Sequence, residues 1–172
     1  QEEGSTVYVL LSGERRFRAL NYLQEKGDAT WNIVNCNVVT TPLTENEKKV
    51  LLYSANLQVR GGFSDEAIRR QAIAEFITCL QREPYNMSRE EALNATKSVS
   101  TVNPRTIERD ARIEEKLKGK LKTLLNDKFL TRSECETYLR FEADKQDEIA
   151  NRFEKLQAVD CHSDDAESAG KN

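Results

Sequence analysis

Two arginine groups in this chain have the residue types and spacing that grip phosphate. The first is Ser12-Gly13-Glu14-Arg15-Arg16-Phe17-Arg18. A guanidinium carries fixed positive charge on forked donors that match phosphate oxygens. Gly13 allows close backbone approach, and the free N–H groups of a helix start attract anions. Two readings stand here: a phosphate-binding corner, or a turn whose arginines pair with nearby acids. The second group is Arg105, Arg109 and Arg112, which share one helix face, with Ile107 and Ala111 on the opposite one. Such a helix lies apolar side down and offers arginines to phosphates or guanine edges. Thr101, Asn103 and Thr106 at its start can add hydrogen bonds to phosphate, helped by the helix N-terminus. The alternative is a solvated face carrying i,i+4 charge pairs.

The elements that must position these groups follow from patterning. Residues 6–11 (Thr-Val-Tyr-Val-Leu-Leu) and 31–39 are rich in β-formers and read as strands. Phe17, Leu20 and Leu23 predict a helix over 14–26, closed by Gly27. Thr44 with Glu47 caps a helix running to about 58. Gly61-Gly62 marks a boundary and candidate hinge, and everything beyond it reads as helical. Ile68, Ala72, Phe76 and Cys79 form one stripe of a helix over 65–82. Ser88 with Glu91 starts a short helix to about 96, and Asn103-Pro104 starts the arginine helix. A short helix, a turn and a sharply started second helix, at about 88–112, is the layout of a helix-turn-helix. Leu117, Leu121, Leu124 and Leu125 mark another amphipathic stretch, Thr131 with Glu134 caps the next helix, and 144–158 supplies the last. The expected fold class is α+β. A small α/β domain at 1–60 precedes a helical DNA-binding domain at 61–158, with a disordered polar tail at 159–172.

Bulk properties set the frame. The chain has 172 residues, 38 % hydrophobic and 32 % charged, with a formal charge of −3. Residues 103–122 carry seven Lys/Arg against four acids, a basic island on an otherwise acidic chain. No apolar run is long enough to span a membrane. Cys36, Cys79, Cys135 and Cys161 form no C-x-x-C pair, so reduced thiols, a cytoplasmic protein and no metal site are expected. Cys161-His162 is half a metal site without neighbouring ligands. The chain starts close to its first expected strand and without Met, so an upstream segment is expected.

The order of these features resembles the ParB family. Its arginine box, Gly-Glu-Arg-Arg-aromatic-Arg-Ala, is matched by Gly13 to Ala19. Its second landmark, Glu-Asn-Leu-Gln-Arg, is matched in part by Asn56, Leu57, Gln58 and Arg60 in "SANLQVR". The resemblance implies a ParB/sulfiredoxin-like N-terminal domain joined to the helix-turn-helix domain. It also implies CTP with Mg2+, held by Gly13, Glu14, Arg15, Arg16, Asn56 and Arg60. The implied partners are double-stranded DNA, a ParA-like ATPase and a second copy of the chain, in plasmid or mobile-element partition close to the nucleoid. Ala55 stands where the family has glutamate and Val59 where it has arginine, so nucleotide binding is expected without efficient hydrolysis. The family's upstream nucleotide motif and its C-terminal dimerisation domain have no counterpart here.

Two further function classes stay open. A transcriptional regulator of the same fold has the same sequence features. A ParB-fold enzyme, nuclease or kinase-like, would need a reacting group. Glu14 occupies the box where sulfiredoxin has cysteine, and the single histidine, His162, lies in the expected tail. No catalytic residue is assigned.

Overall fold

Three Ser/Thr-x-x-Glu signatures begin helices in the protein, as their chemistry requires. The computed structural model describes residues 8–28, 30, 33–58, 63 and 65–168, and for 156–168 the backbone alone. Eight helices lie within these residues: α1 (Glu14–Glu25), α2 (Glu45–Gln58), α3 (Glu66–Gln81), α4 (Arg89–Val99), α5 (Pro104–Lys116), α6 (Gly119–Asn126), α7 (Arg132–Tyr138) and α8 (Ala143–Ser168). At α4 and α7 the capping box is complete, the hydroxyl accepting from the N3 amide and the N3 glutamate from the cap amide. At α2, Glu47 accepts from the Thr44 amide at 2.8 Å, and the Thr44 hydroxyl accepts from the Glu47 amide at 3.2 Å. Asp65 caps α3 and Asn103 caps α5, with Pro104 in its first turn.

The expected α+β class is overturned, because the protein is all-helical over the described residues and contains no sheet there. Residues 8–11 and 33–40 carry the β-rich composition, yet they run as non-repetitive chain. Val9 is 81 % exposed and Ile33 88 % exposed, so neither segment has a surface to cover. A strand is held by its ladder partners, and two short strands without a third, or without a helix packed on them, are marginal in water. Within 1–60 the described residues hold two helices, α1 and α2, in place of the expected α/β arrangement, and 6–7 and 31–32 of the expected strands lie outside the described residues. Helix α8 runs to Ser168, so its backbone enters the segment expected as a tail, and residues 169–172 lie outside the described residues. Gly61-Gly62 lies outside the described residues.

Two apolar clusters organise the helices. Leu57 from α2, Ile73, Phe76, Ile77 and Leu80 from α3, Ala92 from α4, and Ile107 and Ala111 from α5 form the first. Ile113, Leu117, Leu121, Leu124, Leu125, Leu130, Cys135 and Ala150 form the second, with Phe153 and Tyr138 edge-on against each other at its margin. Helix α5 therefore serves both clusters, Ile107 and Ala111 in one and Ile113 in the other. Burial of Ile107 and Ile113 contributes about 1.5–3 kcal/mol each, which fixes the rotation of α5 about its axis. The α3 C-terminus is closed from α2, where Asn46 Nδ2 donates to the carbonyls of Cys79 (2.9 Å) and Glu83 (2.7 Å). By contrast α1 buries no residue, and Phe17 is 52 % exposed.

Candidate nucleic-acid interface

Helices α4 and α5 meet at a turn over residues 100–103, in the expected helix-turn-helix position. The turn is fixed at both ends. The Ser100 hydroxyl accepts from the Val102 amide at 3.1 Å, and the Thr101 amide donates to the Leu57 carbonyl at 3.1 Å. Asn103 Oδ1 then accepts from the Arg105 amide at 2.9 Å, so this side chain serves α5 as its cap. Thr101, Asn103 and Arg105 are exposed and Thr106 is half-buried. Ile107 is fully buried and Ala111 nearly so, as the spacing predicts, which turns the arginine stripe outward.

The three arginines differ in their surroundings. Arg105 is exposed, and among the described residues no carboxylate lies within ion-pair distance of it. Arg109 is half-buried and points toward α7, 2.8 Å from Glu136 Oε2 and 3.2 Å from the Ser133 hydroxyl. Arg112 lies 3.3 Å from the other oxygen of the same carboxylate. Glu108, one turn below Arg105, is bound by Lys97 of α4 at 2.5 Å, and that ammonium holds its carboxyl below the usual range. This face thus sets four cations against two carboxylates, and a single glutamate serves two arginines. The Arg112 pair is exposed on the arginine side and contributes about 0–1 kcal/mol, so an incoming phosphate can replace Glu136 there, whereas the half-buried Arg109 pair is held more firmly.

Beneath this face lies an ion network that the sequence reading did not find. Asp110 is fully buried, with Arg69 Nε at 3.0 Å and Arg132 Nε at 3.9 Å. Burial pushes its carboxyl pKa up, against the pull of the two guanidiniums. Arg70, only 2 % exposed, donates to Asn126 Oδ1 at 2.7 Å and lies 3.6 Å from Glu114, which also binds Lys122. Arg132 further contacts Glu66. The network therefore ties α3, α5, α6 and α7 together. It also sharpens the basic island. Two of the four acids in residues 103–122, Asp110 and Glu114, are turned inward, leaving Glu108 and Glu115 on the surface. The signal was present in the spacing: 107, 110, 111 and 114 follow i, i+3, i+4, i+7, a single buried stripe.

The N-terminal arginine box takes a different form. Gly13 is left-handed, with φ 93°, and precedes α1 with no side-chain cap. Glu14 accepts from Arg18 Nε at 2.7 Å, the arginine pairing that was one of its two sequence readings. Arg15 and Arg16 are exposed. Asn56 is exposed near the end of α2, and among the described residues no hydrogen bond or ion pair joins it to the box. Arg60 lies outside the described residues. Cys79 and Cys135 are buried free thiols whose pKa values are raised by burial, that of Cys135 to about 11, so neither is a poised nucleophile. No group of three His, Cys, Asp or Glu among the described residues is arranged to hold a metal ion. No helix among them is long and apolar enough to cross a membrane. Comparison with protein-family models, with curated proteins and with solved structures finds no match.

Proposed function

We propose that the chain is a double-stranded-DNA-binding protein of the helix-turn-helix kind, acting in partition or transcriptional regulation. One observation carries this reading. Helix α5 is locked by Ile107, Ala111 and the Asp110 network so that Arg105 and Arg112 face solvent beside an exposed, fixed turn, with the half-buried Arg109 between them against α7. A rigid helix with arginines on its outer face has the means to enter a major groove, and the exposed Thr101 in the turn before it can reach a flanking phosphate. The test is fluorescence anisotropy of the full chain on a panel of duplexes. Arg105→Ala/Arg109→Ala lowers affinity and flattens the salt dependence; affinity equal to the parent on every duplex contradicts the reading.

The start of α1 enters the same proposal as a phosphate grip. Gly13 leaves the first-turn amides without a side-chain cap, and Arg15 and Arg16 flank them. Calorimetry with CTP and Mg2+ gives binding heat in the parent and none in Arg15→Ala/Arg16→Ala. Absence of heat in the parent, with and without duplex, removes the nucleotide from the account.

A further inference from the structure

At the C-terminal end of the arginine stripe lies a cleft of about 420 Å³ between the α5–α6 elbow and the α7–α8 turn. Lys116, Lys118 and Arg140 line it, together with Glu115, Glu142 and Phe141. Lys116 continues the stripe itself, since 105, 109, 112 and 116 recur at helical spacing. A rise of 1.5 Å per residue places it roughly 16 Å from Arg105 along the axis, beyond the ~12 Å width of a major groove. A helix whose start lies in the groove therefore brings this end to the neighbouring backbone.

The charge in the cleft is unspent. Among the described residues, Lys116, Lys118 and Arg140 have no carboxylate within ion-pair distance. Glu115 is bound by Arg89 of α4 at 2.5 Å, so Glu142 is the one carboxylate left against three cations. Arg140 stacks on the Phe141 ring, 4.9 Å from its centroid, which restricts where its guanidinium can point. The rims are also held rigidly. Gln146, 2 % exposed, accepts from the Lys118 amide at 2.9 Å and donates to the carbonyls of Lys116 (3.0 Å) and Phe141 (2.9 Å). One buried amide thus fixes the backbone that carries the cations of both walls.

We infer that this cleft is a second phosphate-contact site, which grips the duplex backbone flanking the segment read by α5. The inference rests on the DNA-binding reading and extends its footprint to Lys116, Lys118 and Arg140. Neutralising two phosphate contacts lowers the slope of log K against log salt by about 1.8 on duplex DNA. The experiment is a salt titration of the full chain on a 30-bp duplex, comparing the parent with Lys118→Gln/Arg140→Gln, two exposed positions. Lys120→Gln is the control, because Asn151 and Glu154 already hold that ammonium, at 2.9 and 2.8 Å. The expected result is a slope shallower by about 1.8 in the double variant, parental helical circular dichroism, and an unchanged slope in the control. Parental slope and affinity in the double variant overturn the inference while leaving the α5 reading in place. An equal loss in Lys120→Gln overturns it as well, because the effect is then general charge. A parent that binds no duplex removes both.

Discussion

Glu136 is the residue on which the behaviour of the α5 face turns. Its two oxygens hold Arg109 and Arg112 in the free protein, at 2.8 and 3.3 Å. Phosphate must displace that carboxylate to reach either guanidinium, so Glu136 competes with DNA from within the molecule. The pair with the exposed Arg112 is worth up to about 1 kcal/mol, so Glu136→Gln raises duplex affinity by about fivefold and steepens the salt dependence. Anisotropy on the parent's best duplex reads this directly, and a fall in affinity would show that Glu136 positions the arginines instead of restraining them. Asp110 has the opposite character. It was legible as an acid of a basic segment, yet its side chain is core, because charge counting along the chain ignores which face a residue occupies.

The helix starts were the most legible elements. Thr44, Ser88, Asn103 and Thr131 each precede a helix by the expected hydrogen bonds, because a cap is a contact between residues two or three apart and needs no tertiary information. Asn103→Ala removes the acceptor for the Arg105 amide and costs roughly 1 kcal/mol, seen as a lower urea midpoint; an unchanged midpoint would mean that Pro104 alone sets the start of α5. The two β-rich stretches were not legible in the same way. Val9, Val34 and Val38 have strand propensity, but a strand exists only through a partner elsewhere in the chain, and no local pattern reports whether that partner is there. The same limit applies to α1. Leu20 and Leu23 have helical spacing and are only half-buried, since spacing defines a face without supplying a neighbour to cover it. In α3, Arg70 is buried among apolar residues and Ile68 is 57 % exposed, the reverse of what residue type suggests. Glu114 of α5, 3.6 Å from Arg70, and Asn126 of α6 account for the buried guanidinium, while Ile68 departs from the stripe expected with Ala72, Phe76 and Cys79.

For the whole molecule, carboxylates decide the response to acid. Glu47, Glu91 and Glu134 accept hydrogen bonds at helix starts, which hold their pKa values below that of a free glutamate, and Asp65 is lowered by the α3 amides. Each contributes stability present above the unfolded-state value, about 4.3 for Glu and 3.9 for Asp, and lost as pH falls through the lower folded value. Asp110 acts the other way, since its raised pKa makes the folded state bind its proton first. The lowered groups outnumber it, so urea midpoints fall between about pH 5 and pH 3; a rising midpoint would put Asp110 in control. Across the same molecule, Asp110 and Glu114 turn inward while the arginines of α5 and the cations beyond them face solvent, so an acidic chain presents a basic strip. That strip is the basis of the proposed DNA binding. It is tested most directly by nuclear magnetic resonance of the 15N-labelled chain during titration with duplex DNA. Amide shifts are expected to concentrate from Thr101 to Arg112, with weaker ones at Lys116, Lys118 and Arg140. Shifts confined to α1 or α8, or no shifts at all, would contradict it.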